Sequence, residues 1–310
     1  MSSIKIIIPY FGHFPPQFKF WWATALKNES ITFHIITDNK DIKSEKNICV
    51  SYITWSECKE LIQSHFDFNI ALPSPYKLCD FRPIYGKLFQ QYINGADFWG
   101  FGDIDLIYGD IRQFITENVL QNYDLISGWG HLTLVRNNDY WNNFYKIKQK
   151  GCPDYTEVLS DPKNRGFDEY WHGGFADKAK LLHRNKVWDI RPFDDLTIPQ
   201  FNLNFESDLR CKIENSNLMY EYNNGVLFRV YNILNTLYKE PIMYMHFKRR
   251  QNLLQIETNN TKQFLIIPNR FIDWQPLNID KIKTFTKKSF IKQSIFKISL
   301  KIQRLKQKLK

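Results

Sequence analysis

The sequence is poor in cysteine that can pair. Its five cysteines are odd in number, and none stands in C-x-x-C spacing. This argues against a disulfide framework and a thiolate zinc site, and fits a reduced, cytoplasmic setting. No run of about 18 apolar residues is present, so no membrane span is expected. The short apolar run in Met1–Pro9 is too brief for a signal-peptide core. Glycine is scarce where a triphosphate-binding loop would need it. The loop Pro9-Tyr10-Phe11-Gly12-His13 has one glycine and no lysine, which disfavours a sugar nucleotidyltransferase. Acid is missing from the last thirty residues, where Lys281 to Lys310 carries eleven Lys/Arg and no Asp or Glu. The net charge of +10 therefore belongs to a tail, and the body is near neutral. A nucleic-acid-binding face, which needs basic residues spread over a domain, is not expected.

What is present suits a soluble α/β protein. Its 310 residues, 43% hydrophobic and 24% charged, can bury a sizeable core in one large domain or two small ones. Aromatic residues stand at 16%, which core filling explains well enough. Lys5-Ile6-Ile7-Ile8 reads as a buried strand, Gln17 to Lys27 as a helix and Ile31 to Thr37 as a second strand, the opening of a parallel α/β sheet. Ile84 to Tyr92 reads as a helix. Phe98 to Phe101 is an apolar run leading into Asp103-Ile104-Asp105. Asp110 has N-cap character for a helix from Ile111 to about Leu120. Pro241 to Phe247 reads as a late strand containing His246.

Two aspartates at i, i+2 are weak evidence alone, because such pairs arise by chance. Their context strengthens them. They stand where a buried strand leaves the sheet, the end at which α/β proteins bind ligands. Carboxylates there are costly to bury without a partner. Hard oxygen donors suit Mg²⁺ or Mn²⁺. The plain alternatives are a capping turn or a salt bridge.

Several segments together resemble type-A-fold (GT-A) glycosyltransferases. They are Ile8-Pro9-Tyr10-Phe11-Gly12, the strand ending in Thr37-Asp38, Tyr76 to Pro83, Phe98 to Asp110, and Gly130-His131-Leu132-Thr133-Leu134. The closer resemblance is to a poorly characterised bacterial family from capsule and lipopolysaccharide loci, over roughly residues 4 to 250. It implies an α/β fold with a Rossmann-like central mixed sheet flanked by helices, in a catalytic domain of residues 1–275. A basic amphipathic C-terminal helix follows in a tail of residues 276–310.

The implied activity is metal-dependent transfer of a sugar from a nucleotide sugar, UDP-linked by preference, to a hydroxyl of a glycan or lipid-linked glycan acceptor. The product would be capsule, lipopolysaccharide or O-antigen. The resemblance makes Asp103, Asp105 and His246 the ligands of Mn²⁺ or Mg²⁺, with Asp103 also serving ribose. Tyr10, Phe11 and Asp38 would contact the nucleoside. Lys77, Asp80 and Arg82 would contact donor phosphates or sugar, and Lys248 and Arg249 the leaving diphosphate. Asp168 or Glu169 would act as catalytic carboxylate. His131, Thr133, Trp171 and His172 are expected on the acceptor side. Core, capping and solvated-surface roles stand as the plain alternatives for these residues.

In the tail, Ile291, Ile295, Ile298, Ile302, Leu305 and Leu309 follow steps of four and three, one face of a helix with basic residues around it. Residues 281–310 are therefore expected to contact an anionic membrane surface from the cytoplasmic side, with a homo-oligomeric helix as the competing role. A non-enzymatic binding protein with a basic partner-binding tail is the alternative to an enzyme.

Overall fold

A computed structural model describes residues 1–170, 172–196, 217–247 and 254–287, together with Ile298 and Ile302. Trp171, Lys248, Arg249 and nearly all of the basic tail lie outside these residues. The chain forms two compact units. The first comprises residues 1–14, 28–104 and 115–191, and the second residues 15–27, 105–114 and 192–310.

The first unit is built on a seven-stranded mixed sheet. Its spatial order is Ile48–Tyr52, Ile31–Thr37, Ile4–Pro9, Phe98–Gly102, Leu132–Arg136, Leu125–Trp129 and Val187–Trp188. The first four strands run parallel, the next two pairings are antiparallel, and the last is parallel. Phe98–Gly102 is central and buried throughout. A Cβ at Gly100 would lie 2.4 Å from the Thr133 carbonyl oxygen, so only glycine lets the two backbones pair here. The mixed sheet flanked by helices is the α/β class expected from the sequence.

Local sequence explains several departures from the expected elements. Ile84 to Tyr92 is not one helix. Pro75–Ile84 is a 3-10 segment, followed by the single turns Tyr85–Leu88 and Gln90–Ile93, which break at Phe89. The helix expected from Ile111 divides into Ile111–Phe114 and Glu117–Asn122, because Thr116 caps a new start by accepting from the Val119 N–H. Asp110 does cap the first piece, accepting from the N–H groups of Arg112 and Gln113.

In the second unit, a six-stranded sheet runs in the order Thr236–Ile242, Val226–Ile233, Asn217–Asn223, Gln263–Ile267, Arg270–Asp273 and Gln255–Ile256. Pro241 sits on its edge strand, where a missing N–H costs least. The helix Phe18–Leu26 belongs here. Its fully buried Phe20 packs on Phe264 and Phe271, with ring centroids 4.7 and 4.4 Å away. The helix Ile279–Thr286, at the start of the segment read as tail, buries Ile282 among Met219, Val230 and Leu265. Among the described residues no helix is long and apolar enough to cross a membrane.

The late strand also divides. Thr236–Ile242 stays in the large sheet, while Tyr244–His246 pairs antiparallel with Leu106–Tyr108 and parallel with Asp194–Asp195. This small three-stranded sheet sets His246 opposite Leu106 on one side and Asp195 on the other.

Candidate active site

In the second unit, three side chains line up across the small sheet. His246 Nδ1 lies 2.9 Å from Asp195 Oδ1, and its Nε2 faces Asp105 Oδ1 at 3.5 Å. The backbone fixes the same register: the Phe247 N–H donates to the Asp105 carbonyl and the Leu196 N–H to the His246 carbonyl. All three side chains are buried. Each ring nitrogen faces a carboxylate, which favours the doubly protonated ring, with Nδ1–H toward Asp195 and Nε2–H toward Asp105. Burial works against an imidazolium at this position, but Asp105 first and then Asp195 outweigh it and raise the His246 pKa to about 10. A nitrogen and a carboxylate oxygen 3.5 Å apart can share one ion with ligand bonds of about 2.1 Å. The donor set, imidazole plus hard oxygen, suits Mn²⁺ or Mg²⁺.

Behind this row, Asp194 is fully buried. It accepts from the Tyr220 hydroxyl at 2.9 Å and pairs with Arg229 at 3.0 Å. Burial raises its pKa, against the pull of Arg229 and Tyr220. Asp195 was not among the residues predicted for the site. Its only signal is a second acidic doublet, Asp194-Asp195, after an apolar residue, and nothing local links it to His246. Asp195→Asn is expected to lower divalent-cation affinity about 10- to 100-fold with the fold retained, as for other partners that orient a ligating histidine. Titration calorimetry with Mn²⁺ checks this.

The first unit carries a second constellation, centred on Arg82. From the 3-10 segment Pro75–Ile84, its guanidinium donates to the Gly130 carbonyl at 2.6 Å, to Asp168 Oδ2 at 2.9 Å and to the Asp103 carboxylate. The cation also lies 5.6 Å from the centre of the Phe101 ring. Burial disfavours this charge, yet Asp103 and Asp168 hold the Arg82 pKa above its ordinary value. Asp168 is 2% exposed. Its burial pushes the pKa up to about 7, with Arg82 pulling down and Glu169 pushing up.

A β-bulge shapes this site. Ser127 and Gly128 have positive φ, and the register between the paired strands shifts between Ile126 and Trp129. The turn that follows brings Gly130 against the acidic residues. A Cβ at Gly130 would lie 2.4 Å from Glu169 Oε1, 2.7 Å from Asp168 Oδ2 and 3.1 Å from Arg82 Nη1. Gly130→Ala is therefore expected to displace both carboxylates, cutting turnover about 10- to 100-fold and lowering the unfolding midpoint by several degrees. Steady-state kinetics beside a thermal melt tests it.

The other predicted residues fall in varied settings. Tyr10 stacks on Phe14 at 4.7 Å, and Phe11 packs on Trp55 at 5.1 Å; both are half-buried. Asp38 is exposed and accepts from the Gly12 N–H at 2.8 Å, which ties the first loop to the end of the second strand. Lys77 and Asp80 do not face outward toward phosphates; they form a buried ion pair at 2.6 Å. His131 is buried beside Trp129, with ring centroids 6.1 Å apart, and its carbonyl accepts from the Asp103 N–H. The Thr133 hydroxyl is turned inward to the Trp129 carbonyl at 2.7 Å. His172 is exposed at a positive φ of 47°. Trp171, Lys248 and Arg249 lie outside the described residues.

The chain belongs to a family of unknown function, DUF6625, whose model matches residues 6–275. Solved structures similar to it include the galactosyltransferase LgtC in complex with donor and acceptor sugar analogues. That likeness has 13% identity and a TM-score of 0.37, over 79% of this chain and 87% of that one. Mouse xyloside xylosyltransferase 1 is similar at 9% identity and a TM-score of 0.36, over 64% and 88%. The glycosyltransferase GlyE of Streptococcus pneumoniae is similar at 12% identity and a TM-score of 0.31, over 61% and 45%. No curated protein matches the chain.

Proposed function

We propose that this protein is a metal-dependent glycosyltransferase that moves a sugar from a nucleotide sugar, UDP-linked by preference, to a hydroxyl of a surface-glycan acceptor. The observation that carries the reading is the His246 imidazole, held at Nδ1 by Asp195 and turned at Nε2 toward Asp105. Asp105 and His246 are the ligands we assign to the cation, with Asp195 orienting the histidine. A divalent cation held there would neutralise the charge that develops on a departing nucleoside diphosphate.

Asp168 is the carboxylate we assign to take the acceptor hydroxyl proton. Its raised pKa keeps it basic near neutral pH, and Arg82 fixes its orientation. Glu169, Gly130 and His131 shape the acceptor side with Trp171 and His172, while Thr133, turned inward, only buttresses the strand beneath it. Tyr10, Phe11 and Asp38 belong to the nucleoside side, and Lys248 and Arg249 to the diphosphate. Residues 281–310 hold the enzyme at an anionic membrane surface where lipid-linked acceptors lie.

A thermal-shift screen of UDP-glucose, UDP-galactose and UDP-N-acetylglucosamine, with and without Mn²⁺, tests the reading. A stabilising shift that needs both metal and one nucleotide sugar is expected. Equal shifts without metal, or none with any donor, would sink it.

A further inference from the structure

We infer that Lys77 and Asp80 form a positioning pair that sets the loop carrying Asp168. Lys77 is 2% exposed and Asp80 is fully buried. The Lys77 amine has three N–H donors, and the structure gives it three acceptors. They are Asp80 Oδ2 at 2.6 Å, the Val158 carbonyl at 3.0 Å and the Lys163 carbonyl at 2.7 Å. Asp80 in turn accepts from two backbone N–H groups of the same loop, Phe167 on Oδ1 at 2.9 Å and Arg165 on Oδ2 at 2.8 Å. The pair thus grips the loop at positions 163, 165 and 167, and the last of these adjoins Asp168.

The same 3-10 segment also supplies Arg82, two residues on from Asp80, and Arg82 holds the Asp168 side chain. One short element therefore sets both the backbone and the carboxylate of the acidic loop. Composition alone would not hold this loop in place. Phe167 anchors one end in the core, but Asn164, Gly166 and the exposed Pro162, Lys163 and Arg165 offer few apolar contacts, so polar bonds set the path of the rest. A buried ion pair is a poor source of net stability, because desolvation offsets its attraction, but it does impose one geometry on the groups it binds.

The functional half of this inference rests on the reading of Asp168 as proton acceptor; the structural half does not. Both halves are tested with the full-length protein and the variant Lys77→Met/Asp80→Leu. Apolar replacement of both charges is expected to leave the unfolding midpoint within about 5 °C of wild type. Trypsin cleavage after Lys163 and Arg165, and amide exchange across residues 161–170, are expected to rise about tenfold or more, because the loop opens locally.

Release of UDP from UDP-galactose or UDP-glucose with Mn²⁺ is expected to lose about 100-fold in kcat while the donor KM stays near wild type. Should the double variant fail to fold, Asp80→Glu, which keeps the charge but moves the carboxylate, is expected to show the same loop changes in smaller measure. A folded variant with wild-type cleavage and exchange would overturn the pair as a loop clamp. A loosened loop with unchanged kcat would overturn its role in positioning Asp168. A wild-type protein inert toward every donor would instead refute the transferase reading, while the cleavage and exchange results would still decide the clamp.

Discussion

Asp105→Ala is expected to abolish measurable Mn²⁺ binding and to lower metal-dependent UDP release by about three orders of magnitude or more. Asp105 lies next to the strand Leu106–Tyr108, which pairs with the strand bearing His246, so the backbone presents the two side chains together. Without its carboxylate, one hard oxygen donor is lost and His246 faces the ion with fewer partners. The pH dependence of binding gives a second check. In the metal-free protein His246 carries a proton up to about pH 10, held by Asp105 and Asp195. A cation must displace that proton, so Mn²⁺ affinity is expected to climb with pH, and binding to release about one proton near neutrality. Calorimetry in buffers of different ionisation enthalpy measures this release. Full activity with Asp105→Ala, or metal binding independent of pH, would remove this site from the mechanism.

The second large effect is expected at Arg82. Arg82→Met keeps an unbranched stem under Phe101 but removes the cation shared by Asp103 and Asp168. Breaking a buried pair from one side costs on the order of 3–5 kcal/mol when the remaining charge stays ionised. Asp168 sets when that cost is felt. Its folded-state pKa, about 7, is above the unfolded value, so the contribution of its protonated form is fully present below about pH 4 and is lost as pH rises through 7. Arg82 partly offsets that loss; without it the pKa rises further and the loss deepens. The variant should therefore lose distinctly more stability relative to wild type in urea unfolding at pH 8.5 than at pH 5. A deficit that shrinks as pH rises would contradict this account of the cluster.

Much of the fold was legible from local pattern. The β-branched run before Pro9, the apolar stretch Phe98 to Phe101 and the capping residue Asp110 each report their own element, because strand burial and helix capping depend on near neighbours. The breaks were less legible. Phe89, Thr116 and Met243 interrupt elements that read as continuous; at Thr116 a local cap makes the break, and at Met243 pairing with distant segments decides it. The Tyr244–His246 strand, for instance, leaves the large sheet because Leu106–Tyr108 and Asp194–Asp195 flank it.

The sequence by itself determined the acidic pair at the exit of a central strand, the late histidine and the acidic doublet Asp168-Glu169. These are chemical identities at readable positions. Only the tertiary structure decided how they are used. It made Asp195 the partner of His246, although 51 residues separate them, because two short strands pair side by side. It joined Arg82 to Asp103 and Asp168, and turned Lys77 and Asp80 inward beneath the acidic loop. Hydrogen bonds and ion pairs act over about 3 Å in space whatever the separation along the chain, so partner choice is settled only when the sheets and the loop close.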